Sequence, residues 1–141
     1  MNRICYRKRK KYFKYQLLDP FSIEIDIKPP QEITQYKISL SQGGILAVKE
    51  RYTWDGPSGP TVDTKNFMRG SLVHDALYQL MRLSKLDNKI FRKPADRILR
   101  KLCREDGMNP FRAWYVYWAV RLCAAGAARP QQDPLVKLYA P

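Results

Sequence analysis

Two glycines and two prolines within six residues divide this chain into parts of different periodicity. The stretch reads DGPSGP and runs from Asp55 to Pro60. Gly and Pro at this density exclude both helix and strand, so the stretch is predicted to be a tight irregular loop. Apolar residues alternate with polar ones before the loop, and they recur at helical spacing after it. The loop therefore predicts an α+β fold, with a small N-terminal antiparallel β-sheet packed on a three-helix C-terminal part.

The strand signals lie in the first part. Residues 22–27 read SIEIDI, a strict alternation that places three isoleucines on one face of a half-buried strand. Pro29 follows and ends it. Two further runs, 36–40 and 45–54, flank the sequence SQGG and predict an antiparallel hairpin.

Helix signals follow the loop. The first helix is predicted from Asp63 or Thr64 to Leu83, with Asp63 as its N-cap. Gly70 lies inside this helix, where glycine costs about 1 kcal/mol relative to alanine, so a close approach by another element is expected there. After a polar turn over 84–93, Pro94 is expected in the first turn of the second helix.

The third helix is predicted to begin at Asn109 and Pro110, which suit an N-cap and a first-turn position. Its aromatic and aliphatic residues recur at helical spacing, and we predict that they form a ridge buried in the core. These residues are Phe111, Trp114, Tyr115, Tyr117, Trp118 and Leu122. The domain organisation predicted from these signals is a basic arm over 1–18, one globular domain over 19–126 and an extended tail over 127–141. Within the domain, the sheet occupies 19–54, the loop 55–62 and the helices 63–126.

The chain is strongly basic, with 26 Lys and Arg against 13 Asp and Glu and a formal charge of +13. This balance favours contact with a polyanion such as nucleic acid, an anionic membrane surface or an acidic partner protein. The basic residues begin in the N-terminal arm, where tyrosines and a phenylalanine lie among them, and a solvated arm without a specific contact is the alternative. The arm's candidate polyanion-binding residues are Arg3, Arg7, Lys8, Arg9, Lys10, Lys11 and Lys14.

The cysteines indicate reduced thiols. Cys5, Cys103 and Cys123 are odd in number and widely spaced, which supports neither a zinc ribbon nor a disulfide framework. We expect no secretory signal, because no apolar core follows the basic N-terminus, and no run reaches the length of a membrane span. These features predict a cytoplasmic site of synthesis.

The candidate chemistry lies on the first helix, which carries the only histidine of the chain, His74. Tyr78 shares its face at i+4, whereas Asp75 points about 100° away, toward the glycine loop. Asp96 follows 22 residues after His74, a gap that allows an antiparallel helix to return to the same level. A carboxylate there would bind one ring nitrogen, and the other would take a proton from water.

A cation site is predicted beside the imidazole. The Gly/Pro loop can turn carbonyl oxygens inward next to Asp55 and Asp75, and Ca²⁺ accepts oxygen ligands with loose geometry. A simple connector from the sheet to the helix is the alternative for this loop. Such a cation would stabilise the oxyanion formed when water attacks a carbonyl. The alternative is a buried polar network in which His74, Asp75 and Asp96 join two helices without catalysis.

Two resemblances attach to these motifs. From about Gly44 to Ala125 the order WDGPSGP, DTKNFMRGSLVHDALYQL, ADRILRKL and RAWYVYWAVRL resembles a family of small proteins of unknown function from tailed phages and prophages. That resemblance implies a phage origin, synthesis in the bacterial host cytoplasm and possible incorporation in the virion, and it implies no activity.

From about Tyr52 to Glu105 the loop, HDxxY and AD resemble phospholipase A2, especially the compact domain of parvovirus capsids. This resemblance implies that His74 is the general base, Asp75 the calcium ligand, Asp96 the orienting carboxylate and Tyr78 a supporting donor. It also implies that the loop supplies calcium-binding carbonyls from Asp55, Gly56, Ser58 and Gly59. The chain departs from that pattern in the two prolines of its loop and in its N-terminal sheet.

Three functions therefore remain open. The first is a Ca²⁺-dependent hydrolase of esters such as phospholipids, held on anionic membrane by its arm. The second is a non-catalytic virion structural or accessory protein that contacts other phage proteins. The third is nucleic-acid binding through the basic N-terminus.

Overall fold

A computed structural model describes residues 3–9, 15–56 and 64–131 of the chain. In this part, antiparallel strands come first and helices follow, which confirms the predicted α+β fold. The strands are β1 (Tyr6–Lys8), β2 (Tyr15–Leu17), β3 (Phe21–Glu24), β4 (Ile33–Thr34), β5 (Ile38–Leu40), β6 (Ile45–Val48) and β7 (Thr53–Trp54). The helices are α1 (Lys65–Arg82), α2 (Asn88–Glu105) and α3 (Pro110–Cys123), followed by a 3₁₀ turn over Ala125–Ala128.

The strands form two sheets instead of the single small sheet that the sequence predicts. One has the order β1-β2-β7 and the other the order β3-β6-β5-β4, with every pairing antiparallel. The predicted hairpin around SQGG is present as β5 and β6, with Ser39 opposite Ala47. The additional sheet arises because β2 pairs with β7, so that Tyr15 lies opposite Trp54.

Both sheets share one core with α1. Leu17 and Trp54 of the first sheet and Leu46 of the second are buried in the same cluster as Leu72 and Leu77 of the helix. The stretch predicted as a basic arm, 1–18, contains two strands, β1 and β2. Burial of these side chains fixes α1 against the sheets, which places the predicted site residues on its remaining faces.

The sequence-predicted helix boundaries are partly wrong. The structure begins α1 at Lys65 after Thr64, and the predicted cap Asp63 lies outside the described residues. Helix α2 begins at Asn88, because the Asp87 side chain accepts a hydrogen bond from the Lys89 backbone N–H at 2.9 Å. Pro94 consequently lies inside α2, where it lacks the N–H that would bond the preceding turn.

The predicted close approach at Gly70 is confirmed. A Cβ atom built on Gly70 would lie 3.1 Å from Cys103 Sγ and 3.1 Å from Leu99 Cδ1. Helix α2 therefore packs against the bare backbone of α1 at this level. One turn further along α1, the same antiparallel packing brings His74 opposite Asp96.

The prediction that the α3 ridge is buried is wrong for most of its residues. Tyr117 is buried, and so are Ala113 and Val116. Ala113 and Val116 belong to a core cluster with residues of α1 and α2, and Arg100 of α2 lies over the Tyr117 ring. The chain provides no further element over the opposite face of α3 within the described residues. The exposed members of the ridge are Phe111, Trp114, Tyr115, Trp118 and Leu122.

Candidate functional site

The imidazole of His74 and the carboxylate of Asp96 meet between α1 and α2. His74 Nε2 lies 2.7 Å from Asp96 Oδ1, the distance of a charge-assisted hydrogen bond. The Asp96 side chain is fully buried, whereas that of His74 is 12% exposed. The structure thus brings the sequence-predicted pair together and leaves a small part of the His74 side chain exposed.

Two further donors hold the Asp96 carboxylate. The Tyr78 hydroxyl donates to Oδ1 at 2.6 Å, and Arg121 Nη1 of α3 donates to Oδ2 at 2.9 Å. Burial raises the pKa of Asp96, but hydrogen bonds from His74, Tyr78 and Arg121 outweigh burial, so that the net shift is downward. Asp96 is therefore a carboxylate at neutral pH.

An ionised Asp96 determines which nitrogen of His74 carries the proton. A carboxylate only accepts hydrogen bonds, so Nε2 must be the donor in the pair. In the neutral ring Nδ1 then has a free lone pair. No residue in the described ranges hydrogen-bonds Nδ1, and this nitrogen has the electronic form of a general base.

Arginine side chains extend the network to α3. Arg92 Nε donates to the Tyr78 hydroxyl at 3.2 Å, and Arg92 Nη2 donates to the carbonyl oxygens of Val120 and Arg121 at 2.8 Å each. Burial and the bond to Asp96 raise the pKa of Tyr78, so its hydroxyl remains a donor. Together these bonds fix the carboxylate relative to all three helices.

Asp75 lies on the other flank of α1, against the first sheet. Its Oδ2 accepts a hydrogen bond from the Tyr52 hydroxyl at 2.7 Å. It lines a cleft of about 260 Å³ together with Asp55 and Arg82. Burial raises the pKa of Asp75, and the neighbouring Asp55 charge adds to this increase.

The candidate calcium ligands are only partly described. Asp55 and Asp75 line one cleft, and Gly56 has a left-handed backbone, φ 75°, at the start of the loop. Ser58 and Gly59 lie outside the described residues. Within the described ranges, no three His, Cys, Asp or Glu side chains form a group suited to a metal ion. The two carboxylates fit a hard cation in donor type, because both supply oxygen, and the charge of Asp55 raises the pKa of Asp75.

The N-terminal basic residues lie on the surface. Arg3, Arg7, Lys8 and Arg9 are exposed around β1, and Arg7 Nε donates to Gln16 Oε1 at 2.8 Å. The other candidate polyanion-binding residues, Lys10, Lys11 and Lys14, lie outside the described residues. This surface is separate from the His74–Asp96 pair, since none of the hydrogen bonds of that pair involves β1.

Sequence reasoning did not identify Tyr52, Arg92 or Arg121 as site residues. Arg121 carried one signal, because it interrupts the most apolar stretch of the chain. A charged residue inside a packed helix is usually paired, and its partner here is Asp96. Tyr52 and Arg92 follow no motif, and their roles depend on which elements pack together.

Comparison with known families gives one match. Residues 34–120 fit a family model described as a protein of unknown function, DUF1353. This range begins at the end of β4 and includes Asp55, His74 and Asp96, whereas Arg121 follows directly after it. No curated protein and no solved structure matches the chain. Among the described residues, no helix has the length and apolar composition needed to cross a membrane.

Proposed function

The chain belongs to the DUF1353 family of proteins of unknown function, and on that premise we propose that it is a phage-encoded hydrolase that cleaves carboxylic esters of phospholipid type. The observation that carries the proposal is the 2.7 Å bond between His74 Nε2 and the fully buried Asp96. It leaves Nδ1 as the available base of a side chain that is 12% exposed.

The reaction follows from the roles of these groups. Nδ1 takes a proton from water as the water oxygen forms a bond to the ester carbonyl carbon. The Asp96 carboxylate stabilises the imidazolium formed in this step. The bond between the carbonyl carbon and the alcohol oxygen then breaks, its electrons pass to that oxygen, and Nδ1 returns the proton to it. The products are a carboxylic acid and an alcohol, and His74 is restored.

Tyr78 and Arg121 are positioning residues in this scheme. Both donate to Asp96, so they keep its two oxygens in place while the charge on the imidazole changes. The surrounding protein excludes water from the carboxylate, which strengthens its interaction with the imidazolium. Their loss is expected to weaken catalysis through Asp96 and not through contact with the substrate.

Asp75 and Asp55 are the groups that would hold Ca²⁺. Calcium, when bound, would supply positive charge for the carbonyl oxygen. Asp75 keeps its second oxygen available, since the Tyr52 hydroxyl occupies Oδ2. Tyr52 thereby fixes the Asp75 carboxylate in the cleft that Asp75 and Asp55 both line.

Hydrolysis by His74→Gln tests the proposal directly. Wild type, His74→Gln and the control Lys85→Gln, an exposed position after α1, are assayed on phospholipid vesicles and on a water-soluble aryl ester. Each assay is run with Ca²⁺ and with excess chelator. We expect His74→Gln to lose about 100-fold or more in rate, the typical contribution of a general base, and the control to retain its rate. Equal rates for wild type and His74→Gln would overturn the proposal, as would the absence of turnover in wild type.

A non-catalytic virion structural or accessory role is the second candidate. The observation that favours it is the number of bonds to Asp96, which accepts from His74 and Tyr78 of α1 and from Arg121 of α3. Such a network can serve only to specify how the helices pack. Mass spectrometry of purified phage particles tests this role. Presence of the protein without ester turnover supports it, and absence from the particles counts against it.

A further inference from the structure

The outer face of α3 is an unusually apolar surface for an exposed helix. We call it the aromatic stripe. Phe111 is 75% exposed and Leu122 is 77% exposed, and three other large side chains are nearly half exposed. A stripe of this kind marks an interaction site more often than a solvated surface. Its members, spaced as one helical face, are Phe111, Trp114, Tyr115, Trp118 and Leu122.

A row of positive charge lies on the outer face of α2. We call it the basic stripe. Its members are separated by four, three and four residues, so they share one face of the helix. All are exposed, opposite the face that packs on α1. The members are Lys93, Arg97, Arg100 and Arg104.

The two stripes lie side by side. The guanidinium carbon of Arg100 is 5.9 Å from the centre of the Tyr117 ring, and this ring meets that of Trp118 edge to face at 5.4 Å. Among the described residues of α2 and α3, no acidic side chain belongs to either stripe. Helix α3 contains no Asp or Glu, and the only acid of α2 before Glu105 is the buried Asp96.

We propose that the aromatic and basic stripes together bind the surface of an anionic lipid bilayer. Trp and Tyr side chains favour the interfacial region of a bilayer, and Phe and Leu favour the acyl chains directly below it. The neighbouring Lys and Arg side chains would meet the lipid phosphates. Charge complementarity thus selects an anionic bilayer for a chain of formal charge +13.

Other occupants fit the surface less well. A second copy of this chain would bring one basic stripe toward another, and the like charges would repel. Single-stranded nucleic acid would stack bases on the aromatic rings and bind the arginines, but it offers nothing to the aliphatic Leu122. A bilayer accommodates the aromatic, aliphatic and basic side chains together.

The inference that anionic phospholipids are the substrate rests on the proposed hydrolase function. The inference that the two stripes bind an anionic bilayer does not. The test therefore uses vesicles of ether-linked phospholipids, which contain no ester to cleave. Co-sedimentation is measured with ether-linked phosphatidylcholine alone and mixed with ether-linked phosphatidylglycerol, at low and at high salt. We expect binding to the anionic vesicles and its reduction at high salt.

Two pairs of matched variants assign the binding to this surface. Lys93→Gln/Arg97→Gln is compared with Lys28→Gln/Lys49→Gln, which removes two exposed charges that belong to neither stripe. Each basic residue near an anionic surface contributes about fivefold to partitioning, so we expect a loss of about 20-fold or more for the first variant only. Trp114→Ser/Trp118→Ser is compared with Tyr36→Ser, which removes an aromatic ring that is 84% exposed. A loss of about tenfold or more is expected only for the tryptophan variant.

Tryptophan fluorescence supplies an independent readout of depth. Trp54 is buried, so a blue shift on adding anionic vesicles reports on Trp114 and Trp118. We expect Trp114→Phe/Trp118→Phe to bind vesicles but to show no shift. Equal binding by both members of a matched pair overturns the proposal. Binding of a single-stranded oligonucleotide through these residues, without binding of vesicles, would also overturn it. A wild-type dimer that dissociates in the Trp114→Ser/Trp118→Ser variant would do the same.

Discussion

Arg121 Nη1 lies 2.9 Å from Oδ2 of Asp96, so the third helix supplies the positive charge that stabilises the carboxylate bound to His74. The two residues are 25 apart in sequence and lie on different helices. Asp96 is fully buried and Arg121 is mostly buried. Such an ion pair costs little only while both partners remain, because either charge alone would be buried without compensation.

Asp96→Asn is expected to destabilise the protein by about 3 kcal/mol, the usual cost of leaving one charge of a buried pair alone. Arg121→Gln is expected to cost a similar amount. The double variant should cost less than the two losses combined, because it removes both charges. Chemical denaturation of the three variants measures this coupling, with Arg129→Gln at an exposed position as the control. Strict additivity would contradict the ion pair.

Acid is expected to destabilise wild type through Asp96. Its pKa is lowered in the folded protein, so the fold favours the carboxylate. This stabilisation is complete above the unfolded pKa of about 4 and is lost as the pH falls through the lower, folded value. Free energies of unfolding measured from neutral pH down through this window should fall for wild type. The decline should be shallower for Asp96→Asn, and an equal decline in both would assign acid sensitivity to other groups.

Asp75→Asn is expected to leave stability at neutral pH unchanged or to increase it, within about 1 kcal/mol. Burial raises the pKa of Asp75, so the fold favours its protonated form. This contribution is complete below the unfolded pKa and is lost as the pH rises through the folded value. Asparagine removes the charge and keeps an oxygen that can accept from Tyr52. Thermal unfolding at acid and neutral pH checks the sign.

With Asp75 as a ligand, Ca²⁺ should make wild type more stable than Asp75→Asn, the reverse of the order expected without calcium. We expect Ca²⁺ to raise the melting temperature of wild type by preferential binding to the folded state. Asp75→Asn should show no increase, while the control Lys85→Gln should follow wild type. An equal increase in Asp75→Asn would place bound calcium elsewhere on the chain.

Two of the three cysteines should react readily with a thiol reagent in the native protein. Cys5 and Cys123 are exposed, whereas Cys103 is buried, and burial raises the pKa of its thiol to about 12. The thiolate is the reactive form, so Cys103 should react only after unfolding. Mass spectrometry of the labelled protein before and after denaturation locates the modified residues. Rapid native labelling of Cys103 would indicate that α1 and α2 separate frequently.

Local periodicity was sufficient to predict the pairing of His74 with Asp96. Helical spacing fixed the face of His74, and the length of the intervening segment allowed an antiparallel return. The same reasoning could not find Arg121 or Tyr52 as partners. The Arg121 contact depends on how α3 packs against α2, and the Tyr52 contact depends on how the residue before β7 packs against α1, which no local pattern specifies. The role of His74 as a base and that of Asp75 as a calcium ligand remain predictions.

The predicted start of the second helix and the predicted burial of the third-helix ridge were wrong for different reasons. Proline is common in first turns, but the N-cap Asp87 starts the helix seven residues before Pro94, and the helix continues through the proline. On α3, helical spacing correctly grouped five of the six predicted ridge residues on one face, whereas Tyr117 lies on the buried face. Periodicity identifies a face but not what covers it, so Trp118 could be assigned to the core although it is exposed.

The bare backbone at Gly70 acts as a spacer of fixed length for the His74–Asp96 pair. Leu99 and Cys103 of α2 lie as close as a residue without a side chain permits, one helical turn from the imidazole. A methyl group there would require Leu99 and Cys103 to shift by a few tenths of an ångström. Any part of that shift carried by the helix backbones would reach the 2.7 Å hydrogen bond, which has little tolerance for it. The precision of a polar contact is therefore set by an apolar position that takes no part in it. A search for chains with the same chemistry should look for a small residue four positions before the histidine as well as for the histidine itself.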